Sequence, residues 1–330
     1  MSGEPQSRWT GRLVLVTGAD GFVGSHLTER LLREGAVVSA WVRPRSVTGT
    51  VTYALRNLAS VQARLHAIVA ADIAGPDAVD RIGEIAPQVI FHLAADAYVE
   101  RSFRYPQEVL RTNLGGTMTV LQAARRYPSI ERVVVTSSSE VYGSAQADRM
   151  DERHPLEPTS PYAASKAAAD RMAMAYHRTY GTPVAVIRPF NTFGPRHIYD
   201  VIPKFVAAAL DEQPLEIYGG GSQSRDFTFV DDMVDAFLAM GSHPAAVGQV
   251  VNFGTGVATS IAELAGLVVE ATRSRAPIVH RPARQAEVTR LCCDNGLAAE
   301  LFAWHARVPL AEGLRRHVEW ARQSSAVSGE

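Results

Sequence analysis

The segment SPYAASK places a phenol and an ammonium group four residues apart. Tyr162 and Lys166 share one face of the predicted helix Ser160–Tyr180, because residues at this spacing are neighbours on a helix. A nearby cation lowers the pKa of a phenol, so a tyrosinate here could take the proton of a substrate hydroxyl. Such a pair is usually only a solvated helix face, and its interpretation as catalytic depends on the segments that precede it.

A second polar group follows the predicted strand Val133–Ser137, in VVVTSSSEVYG. Ligands of doubly wound sheets bind beyond the carboxyl ends of the strands, so Ser138, Ser139 and Glu140 are expected to face a substrate. A hydroxyl there could hold a sugar oxygen, and the carboxylate is a second acid or base besides the phenol. Ser137 is interpreted as structural, since serines that close a strand commonly cap or turn the chain.

Three glycines near the N-terminus, Gly18, Gly21 and Gly24 in TGADGFVGSHL, stand between a predicted strand and a predicted helix. Glycine permits the tight turn there and lets backbone N–H groups and the helix N-terminus approach a pyrophosphate. This setting predicts a dinucleotide site and favours the catalytic interpretation of the Tyr/Lys pair. The full set expected to bind the cofactor is Gly18, Gly21, Phe22, Val23, Gly24, Arg43, Asp72, Ile73, Leu93, Ala94, Ala95, Tyr162, Lys166 and Pro189.

The choice between NAD and NADP depends on the segment AWVRPRS. An NAD site carries an acidic residue about 20 positions after the glycines, which binds the ribose hydroxyls. Here Val42 stands at that position and Arg43 follows it, so NADP is slightly favoured over NAD, because a guanidinium suits a 2′-phosphate. Arg43 could instead be solvated or stack on adenine. Asp72 could contact adenine or cap the next helix.

The elements that position these residues alternate between short β-branched runs and helical stretches. Several of the strands are apolar almost throughout, as expected of a parallel sheet covered by helices on both faces. The predicted fold class is α/β, a doubly wound parallel Rossmann sheet with a smaller C-terminal substrate-binding α/β lobe. Residues 10–190 are expected to form the NAD(P)-binding domain, rejoined by about 230–255, and residues 191–325 mainly the substrate-binding lobe.

Composition excludes several classes of function. Lys and Arg number 33 against 34 Asp and Glu, so no global field favours nucleic acid or an anionic membrane. Cys292 and Cys293 are adjacent and lack zinc-ligand spacing, so neither a disulfide framework nor a metal is expected. Neither a signal peptide nor a transmembrane segment is recognisable, which predicts a cytoplasmic protein.

The chain resembles the extended short-chain dehydrogenase/reductase family over roughly residues 11–255, and particularly its nucleotide-sugar 4,6-dehydratase/epimerase branch. The resemblance is carried by the following motifs: TGADGFVGSHL, HLAADAYVERS, RTNLGGT, TSSSEVYG, SPYAASK, RPFNTFGPR and SRDFTFVDD. It implies a nucleotide-diphosphate sugar as substrate, with Tyr162 as base, Lys166 as its electrostatic partner, Ser138 as the hydrogen-bond partner of O4 and Glu140 as the base at C5.

The resemblance further implies that Asn191 and Arg225 hold the diphosphate, and Asp96 and Arg196 are also expected to contact the substrate. The apolar stripes of the helices Pro106–Arg126 and Ser160–Tyr180 are expected to form a homodimer interface, although burial against their own sheet explains the same stripes. His92 is interpreted as a structural hydrogen-bonding residue, and His197 either lines the substrate pocket or is structural.

The reaction implied first is a 4,6-dehydration that yields a 4-keto-6-deoxy sugar. Two positions depart from the dTDP-glucose enzymes: Ser139 stands where they carry an aspartate, and Asp200 where they usually carry a lysine. A C4 epimerase or 4-keto reductase is therefore the main alternative, because it needs Tyr162 and Lys166 but not Glu140. A UDP-glucuronate decarboxylase is third, and a catalytically silent NAD(P)-binding sensor is the non-enzyme alternative.

Overall fold

The computed structural model describes residues 7–43, 45–47, 50–52, 55–283 and 288–327. The chain divides into two compact units. Unit 1 contains Met1–Ser138, Ser160–Arg188 and Val234–Val251, and unit 2 contains Ser139–Thr159, Pro189–Met233 and Asn252–Glu330. Each unit is therefore assembled from three separate stretches of sequence.

Fifteen strands are present in the described part of the chain. They are β1 (Leu13–Thr17), β2 (Val37–Val42), β3 (Arg45–Val47), β4 (Thr50–Thr52), β5 (Ala67–Ala70), β6 (Val89–His92), β7 (Arg132–Thr136), β8 (Val184–Pro189), β9 (Thr192–Phe193), β10 (Leu215–Tyr218), β11 (Ser224–Asp226), β12 (Thr228–Phe229), β13 (Val250–Phe253), β14 (Ala258–Ser260) and β15 (Ile278–Arg281).

Eleven α-helices occur in the same described ranges. They are α1 (Phe22–Arg33), α2 (Ala78–Ile85), α3 (Val99–Arg104), α4 (Pro106–Leu110), α5 (Gly116–Arg126), α6 (Pro161–Tyr180), α7 (Val201–Leu210), α8 (Val230–Ser242), α9 (Ile261–Thr272), α10 (Gly296–Phe302) and α11 (Leu310–Val327). Short 3₁₀ turns occur at Ala59–Arg64, Ser139–Tyr142 and Pro244–Ala246, and a π-helical turn at Arg111–Gly115 joins α4 to α5.

A seven-stranded sheet with the order β13-β8-β7-β6-β1-β2-β5 is the central layer. Its neighbours from β5 to β8 all pair in parallel, for example Leu15 with Ser39 and Ile90 with Val133. Most side chains of β1, β6, β7 and β8 are fully buried, as expected of strands covered on both faces. The predicted fold class, a doubly wound Rossmann sheet, is confirmed.

Unit 2 is built on three two-stranded sheets: β9 with β12, β10 with β15, and β11 with β14. A cluster of aromatic rings, Phe193, Phe227 and Phe229, packs edge to face inside it, with ring centroids 5.6 and 6.4 Å apart. Gly313 of α11 lies against this cluster, because an added Cβ would meet Phe193 at 2.6 Å. These contacts hold β9, which follows Asn191 in the sequence, and β12, which comes shortly after Arg225.

Candidate active site

The glycine-rich turn after β1 has the geometry of a phosphate cradle. Gly18 has φ +71°, and a Cβ there would lie 2.8 Å from the backbone N of Ala94. A Cβ on Gly24 would lie 2.2 Å from the carbonyl oxygen of Gly18. Gly21 caps α1 without a side-chain hydrogen bond, and the first turn of α1 has no acidic residue. Only glycines permit this approach, and the N-terminus that results suits an anion.

The predicted cofactor residues of unit 1 lie at the carboxyl ends of neighbouring strands. Leu93 and Ala94 follow β6, and their N–H groups donate to the carbonyl and hydroxyl oxygens of Thr17, each at 3.1 Å. Phe22 and Val23 form the first turn of α1, and Ala95 comes directly after Ala94. The predicted cofactor residues therefore lie along one edge of the sheet, at the ends of β1, β2, β5 and β6. Their arrangement fits the binding of a dinucleotide.

Arg43 and Asp72 follow the ends of the adjacent strands β2 and β5, and Ile73 next to Asp72 is buried. Asp72 accepts a hydrogen bond from the N–H of Ala74 at 3.0 Å and does not cap α2, whose N-cap is Asp77. The helix-cap alternative for Asp72 is therefore wrong.

His92 is a structural residue, as predicted. Its Nδ1 lies 2.9 Å from Thr17 Oγ1, and its side chain is buried. Burial, together with the charge of Lys166, lowers the pKa of His92 to about 3. The imidazole is therefore neutral at physiological pH and holds the end of β6 to the end of β1.

Tyr162 and Lys166 lie in the first turns of α6, one turn apart and both largely buried. The helix begins with Ser160, whose hydroxyl accepts the N–H of Ala163 at 3.1 Å, followed by Pro161. Lys166 Nζ donates to the carbonyl oxygen of Thr136 at the end of β7, at 2.7 Å. Burial lowers the pKa of Lys166 to about 8. The ammonium is thus fixed in place, and it loses its proton at lower pH than an exposed lysine does.

Two hydrogen-bond networks orient α6, and neither was predicted. Asn113 in the π-helical turn donates to Ser165 Oγ at 2.9 Å and accepts the N–H of Asp96 at 2.7 Å, while Ser165 Oγ donates to the carbonyl of Tyr162 at 2.7 Å. The only sequence signal for this role was the position of Asn113 inside the RTNLGGT motif.

The second network is a buried ion pair on the next turn of α6. Arg188 Nε of β8 donates to Asp170 Oδ2 at 2.8 Å, and both side chains are almost completely buried. Because a buried charge left without its partner is costly, the pair fixes the helix against β8. Asp96 is engaged too, since its Oδ2 accepts a hydrogen bond from Arg101 Nε at 2.8 Å.

Ser138 ends the first stretch of unit 1 and is buried, and Ser139 and Glu140 begin the first stretch of unit 2 in a 3₁₀ turn. Ser137 is also buried, and its hydroxyl has no hydrogen-bond partner among the described residues. Ser137 therefore makes no hydrogen bond that would give its hydroxyl a structural role.

Glu140 is a carboxyl of unit 2 whose pKa is affected by burial and by two charged neighbours. Burial raises the pKa of its carboxyl, the charge of Arg225 opposes this rise, and the charge of Asp200 adds to it. A carboxyl with a raised pKa holds its proton at higher pH than a free carboxyl does, so it can both accept and return a proton. Arg225 lies on β11, where its Nη1 also donates to the carbonyl of Ser224 at 3.0 Å.

The remaining predicted residues are Pro189, which ends β8, and Asn191 and Arg196, which follow it. The side-chain oxygen of Asn191 is buried and accepts no hydrogen bond within the described ranges, so an acceptor is available to a ligand or water. Arg196 and Asp200 have φ of +71° and +72°, a conformation that is unfavourable for residues other than glycine. Backbone strain of this kind often accompanies a functional loop.

His197 is held inside the same loop. Its Nε2 lies 3.2 Å from Asp200 Oδ2, its ring packs edge to face on Tyr199 at 4.8 Å, and its side chain is buried. These contacts assign His197 to the support of the loop. Its possible contact with a substrate remains a prediction.

No group of three or more His, Cys, Asp and Glu side chains in the described part of the chain could hold a metal ion. Among the same residues, no helix is long and apolar enough to cross a bilayer.

A doubly wound sheet, a glycine-rich turn before an uncapped helix and a buried Tyr/Lys pair on α6 together define the short-chain dehydrogenase/reductase class. Comparison with known families refines this class. The family model for GDP-mannose 4,6-dehydratase matches residues 15–317, and the chain belongs to this family. The resemblance proposed from the motifs is thus confirmed.

The chain is similar to enzymes with two different reactions. It is 37% identical to a UDP-glucose 4-epimerase of Mycolicibacterium smegmatis, over 94% of this chain and 99% of that protein. It is 35% identical to a dTDP-glucose 4,6-dehydratase of Streptomyces antibioticus, over 95% and 93%. Among solved structures, the dTDP-glucose 4,6-dehydratase DesIV of Streptomyces venezuelae, with NAD bound, superposes with a TM-score of 0.85 at 34% identity, covering 95% of this chain and 98% of that one.

Proposed function

We propose that this chain is an NAD(P)-dependent nucleotide-diphosphate-sugar 4,6-dehydratase. The observation that supports this reaction is Glu140, a carboxyl that has a raised pKa and the charge of Arg225 nearby, and that directly follows the three serines after β7. An epimerase needs one base at the hydroxyl of C4, whereas dehydration needs a second base at C5, and Glu140 supplies one.

In the proposed first step, Tyr162 accepts the proton of the C4 hydroxyl, while the hydrogen bonded to C4 leaves as a hydride. The ammonium of Lys166 stabilises the tyrosinate, and Ser138 donates a hydrogen bond to O4. A bound dinucleotide would supply the acceptance of a hydride from C4 and, after water has left, the return of this hydride to C6. Burial of Lys166 excludes water from the pair, so its charge acts on the phenol with little screening.

In the second step, Glu140 removes the proton from C5 of the 4-keto sugar. The C5–H electron pair forms a C5–C6 double bond, the C6–O bond breaks, and the oxygen departs as water after protonation. Ser139 replaces the aspartate of the dTDP-glucose enzymes, so we assign this proton to Glu140 itself, which carries it from C5 to the leaving oxygen. A carboxyl with a raised pKa suits both halves of this transfer. Addition of the hydride at C6 and of a proton at C5 then gives the 4-keto-6-deoxy sugar, and this proton balances the one that Tyr162 removed.

We assign the binding of the substrate's diphosphate to Asn191 and Arg225. Arg196 and Asp96 are proposed as further contacts of the substrate. A guanidinium binds phosphate oxygens in a bidentate manner. Asp96 Oδ2 already accepts a hydrogen bond from Arg101, so we propose that Asp96 contacts the substrate through Oδ1.

A C4 epimerase is the second candidate, and two observations favour it. The relative from Mycolicibacterium smegmatis is a UDP-glucose 4-epimerase at 37% identity. In addition, Ser139 stands where dTDP-glucose dehydratases carry the aspartate that acts as an acid. Such an enzyme would use Tyr162 and Lys166 in the same way and leave Glu140 a structural residue. A UDP-glucuronate decarboxylase and a silent NAD(P)-binding sensor are further alternatives.

Mass spectrometry of products would separate these reactions. The purified protein, with NAD⁺ or NADP⁺ added, would be incubated with GDP-mannose, dTDP-glucose, UDP-glucose, UDP-N-acetylglucosamine and UDP-glucuronate. We expect one product lighter by one water. An isomer of unchanged mass would assign the epimerase instead, loss of carbon dioxide from UDP-glucuronate would assign the decarboxylase, and binding without turnover would assign the sensor.

We also propose that the chain forms a homodimer through α3, α4 and α6. Phe103, Tyr105, Leu110 and Tyr180 are large apolar residues of this region with 39 to 53% of their surface exposed. Light scattering after gel filtration should give twice the 35.7 kDa of one chain. The double substitution Phe103→Glu with Leu110→Glu should give the monomer mass, whereas Ile278→Glu, at another exposed apolar position, should not. A monomeric parent protein would contradict the proposal.

A further inference from the structure

Arg43 and Asp72 are brought together by the pairing of β2 with β5. Val42 and Ala70 are opposite each other in the register, and the N–H of Ala71 donates to the carbonyl of Val42 at 3.2 Å. Arg43 and Asp72 therefore follow the ends of two adjacent strands. The glycine turn lies beside them, because the N–H of Gly18 donates to the carbonyl of Trp41 at 2.9 Å.

A second arginine reaches the same place from the π-helical turn. Arg111 Nη2 lies 2.5 Å from Asp72 Oδ2, and more than a third of each side chain is exposed. Partial burial raises the pKa of Asp72, but hydrogen bonds from Arg111 and Ala74, together with the charges of Arg111 and Arg43, outweigh it and hold this pKa below its usual value. Two guanidinium groups thus flank one ionised carboxylate.

This arrangement is unsuited to a free ribose diol. The residue at the position of the usual acidic ribose ligand is Val42, which is buried. The nearby carboxylate of Asp72 already accepts hydrogen bonds from Arg111 and Ala74. The three side chains carry a net positive charge, and a phosphate is the group that two guanidiniums would bind best.

We propose that Arg111 is a second determinant of NADP specificity: Arg43 and Arg111 together bind the 2′-phosphate, which displaces Asp72 from Arg111. This inference rests on the proposed use of NAD(P), and it assigns to Arg111 a role that its motif does not imply. Asp72 holds the guanidinium in place in the absence of dinucleotide and competes with the phosphate for it.

The test is the equilibrium binding of NADP⁺ and NAD⁺ to the full chain freed of bound nucleotide, measured by titration calorimetry without any sugar. The parent protein should bind NADP⁺ at least tenfold more tightly. Arg111→Gln should weaken NADP⁺ binding about tenfold and leave NAD⁺ binding within about twofold, because one charge-assisted contact to phosphate is lost. Asp72→Asn should strengthen NADP⁺ binding, since it removes the competing carboxylate.

Arg126→Gln is the matched control. Arg126 Nη1 pairs with Asp80 Oδ1 at 2.6 Å on the same unit, with similar exposure, and has no place in the proposal. It should change neither affinity. The affinity of the parent protein for NADP⁺ should also fall more steeply with salt than its affinity for NAD⁺, and Arg111→Gln should reduce this difference.

Two results would overturn the inference: equal affinity of the parent protein for both dinucleotides, or an Arg111→Gln variant in which both affinities change by the same factor. Because no sugar is present, the outcome is separate from that of the proposed dehydration. Selective NADP⁺ binding by a protein that releases no water from any sugar would keep this inference and refute the reaction.

Discussion

Glu140 and Asp226 are two carboxyl groups of unit 2 that burial affects in the same direction but that have different surroundings. Asp226 is fully buried. Its Oδ1 accepts the N–H and hydroxyl of Thr255 at 2.8 and 2.6 Å, and its Oδ2 accepts the N–H groups of Gly256 and Cys293 at 2.8 and 3.1 Å. Glu140 retains partial exposure, and its charged neighbours are Arg225 and Asp200.

Burial raises the pKa of both groups, but different interactions oppose the rise in each. Burial raises the pKa of Asp226, and hydrogen bonds from Thr255, Cys293 and Gly256 limit the rise. Burial also raises the pKa of Glu140, but there the limit is the charge of Arg225, while Asp200 adds to the rise. A raised pKa alone therefore does not identify a catalytic carboxyl. A carboxylate whose two oxygens serve four donors maintains structure, and one that keeps access to solvent can exchange protons.

The largest effect is expected from Glu140→Gln. The amide keeps the shape but cannot accept the C5 proton, so water loss should fall by about 10²- to 10⁴-fold, the usual contribution of a general base. Thermal unfolding should occur at the parent temperature or above. The measurement is the rate of the product lighter by one water, together with the melting temperature of the same sample.

Glu157→Gln is the control for this variant, because Glu157 is an exposed carboxylate of the same segment, hydrogen-bonded to Gln146 at 2.8 Å. It should leave the rate unchanged. Full turnover in the Glu140→Gln variant would make Glu140 a structural carboxyl like Asp226 and end the contrast between them.

Asp226→Asn should have the opposite profile. Whichever oxygen becomes the NH₂ group, it faces at least one backbone N–H, so the free energy of unfolding should fall by about 3 kcal/mol. Urea unfolding would measure the loss. Asp231→Asn, at an exposed position paired with Arg316, should cost less than about 0.5 kcal/mol. A stable Asp226→Asn protein would show that the four contacts do not depend on the charge.

The contrast between the two carboxyls could not be derived from the sequence. Tyr162 and Lys166 were found because helix periodicity converts a spacing of four into a shared face. The Rossmann sheet was found because its buried strands are nearly continuous apolar runs. The partners of Asp226 are 29 to 67 residues away along the chain, at Thr255, Gly256 and Cys293, and no local pattern connects them.

The same limit applies at the adenosine end of unit 1. Arg43 was recognised because it follows a predicted strand directly. Arg111 is 39 residues from Asp72 and reaches it from a π-helical turn inside the stretch predicted as one helix, Pro106–Arg126. The substrate and catalytic roles of the site residues remain predictions, because chemistry at a site depends on a ligand's contacts as well as on the fold.

A smaller effect is expected from Thr255→Val, which removes one of the four donors to Asp226 and keeps the volume. The backbone N–H of Thr255 still donates to the carboxylate, so the free energy of unfolding should fall by only about 1 kcal/mol. Thr255→Ser should restore most of the loss. In the background of Asp226→Asn, Thr255→Val should cost less than it does alone, since the two groups share one contact. Equal costs in both backgrounds would mean that the hydroxyl acts elsewhere.

The smallest effect expected concerns the stability of Glu140→Gln as a function of pH. The folded-state pKa of Glu140 is raised, so the folded protein binds its proton more tightly than the unfolded chain does, and stability is lost as pH rises from the ordinary value of 4.5 through the folded value. Glutamine does not titrate. The variant should therefore match the parent near pH 4, and its free energy of unfolding should exceed that of the parent by up to about 1 kcal/mol at pH 7, as is common when an active-site charge is removed.

The lowered pKa values of His92 and His317 destabilise both proteins equally in acid and cancel in the difference. Urea unfolding of both proteins at several pH values measures this difference. A variant that is less stable than the parent at pH 7 would show that Arg225 makes the ionised Glu140 a net stabilising group, and its partial exposure would then have no catalytic meaning.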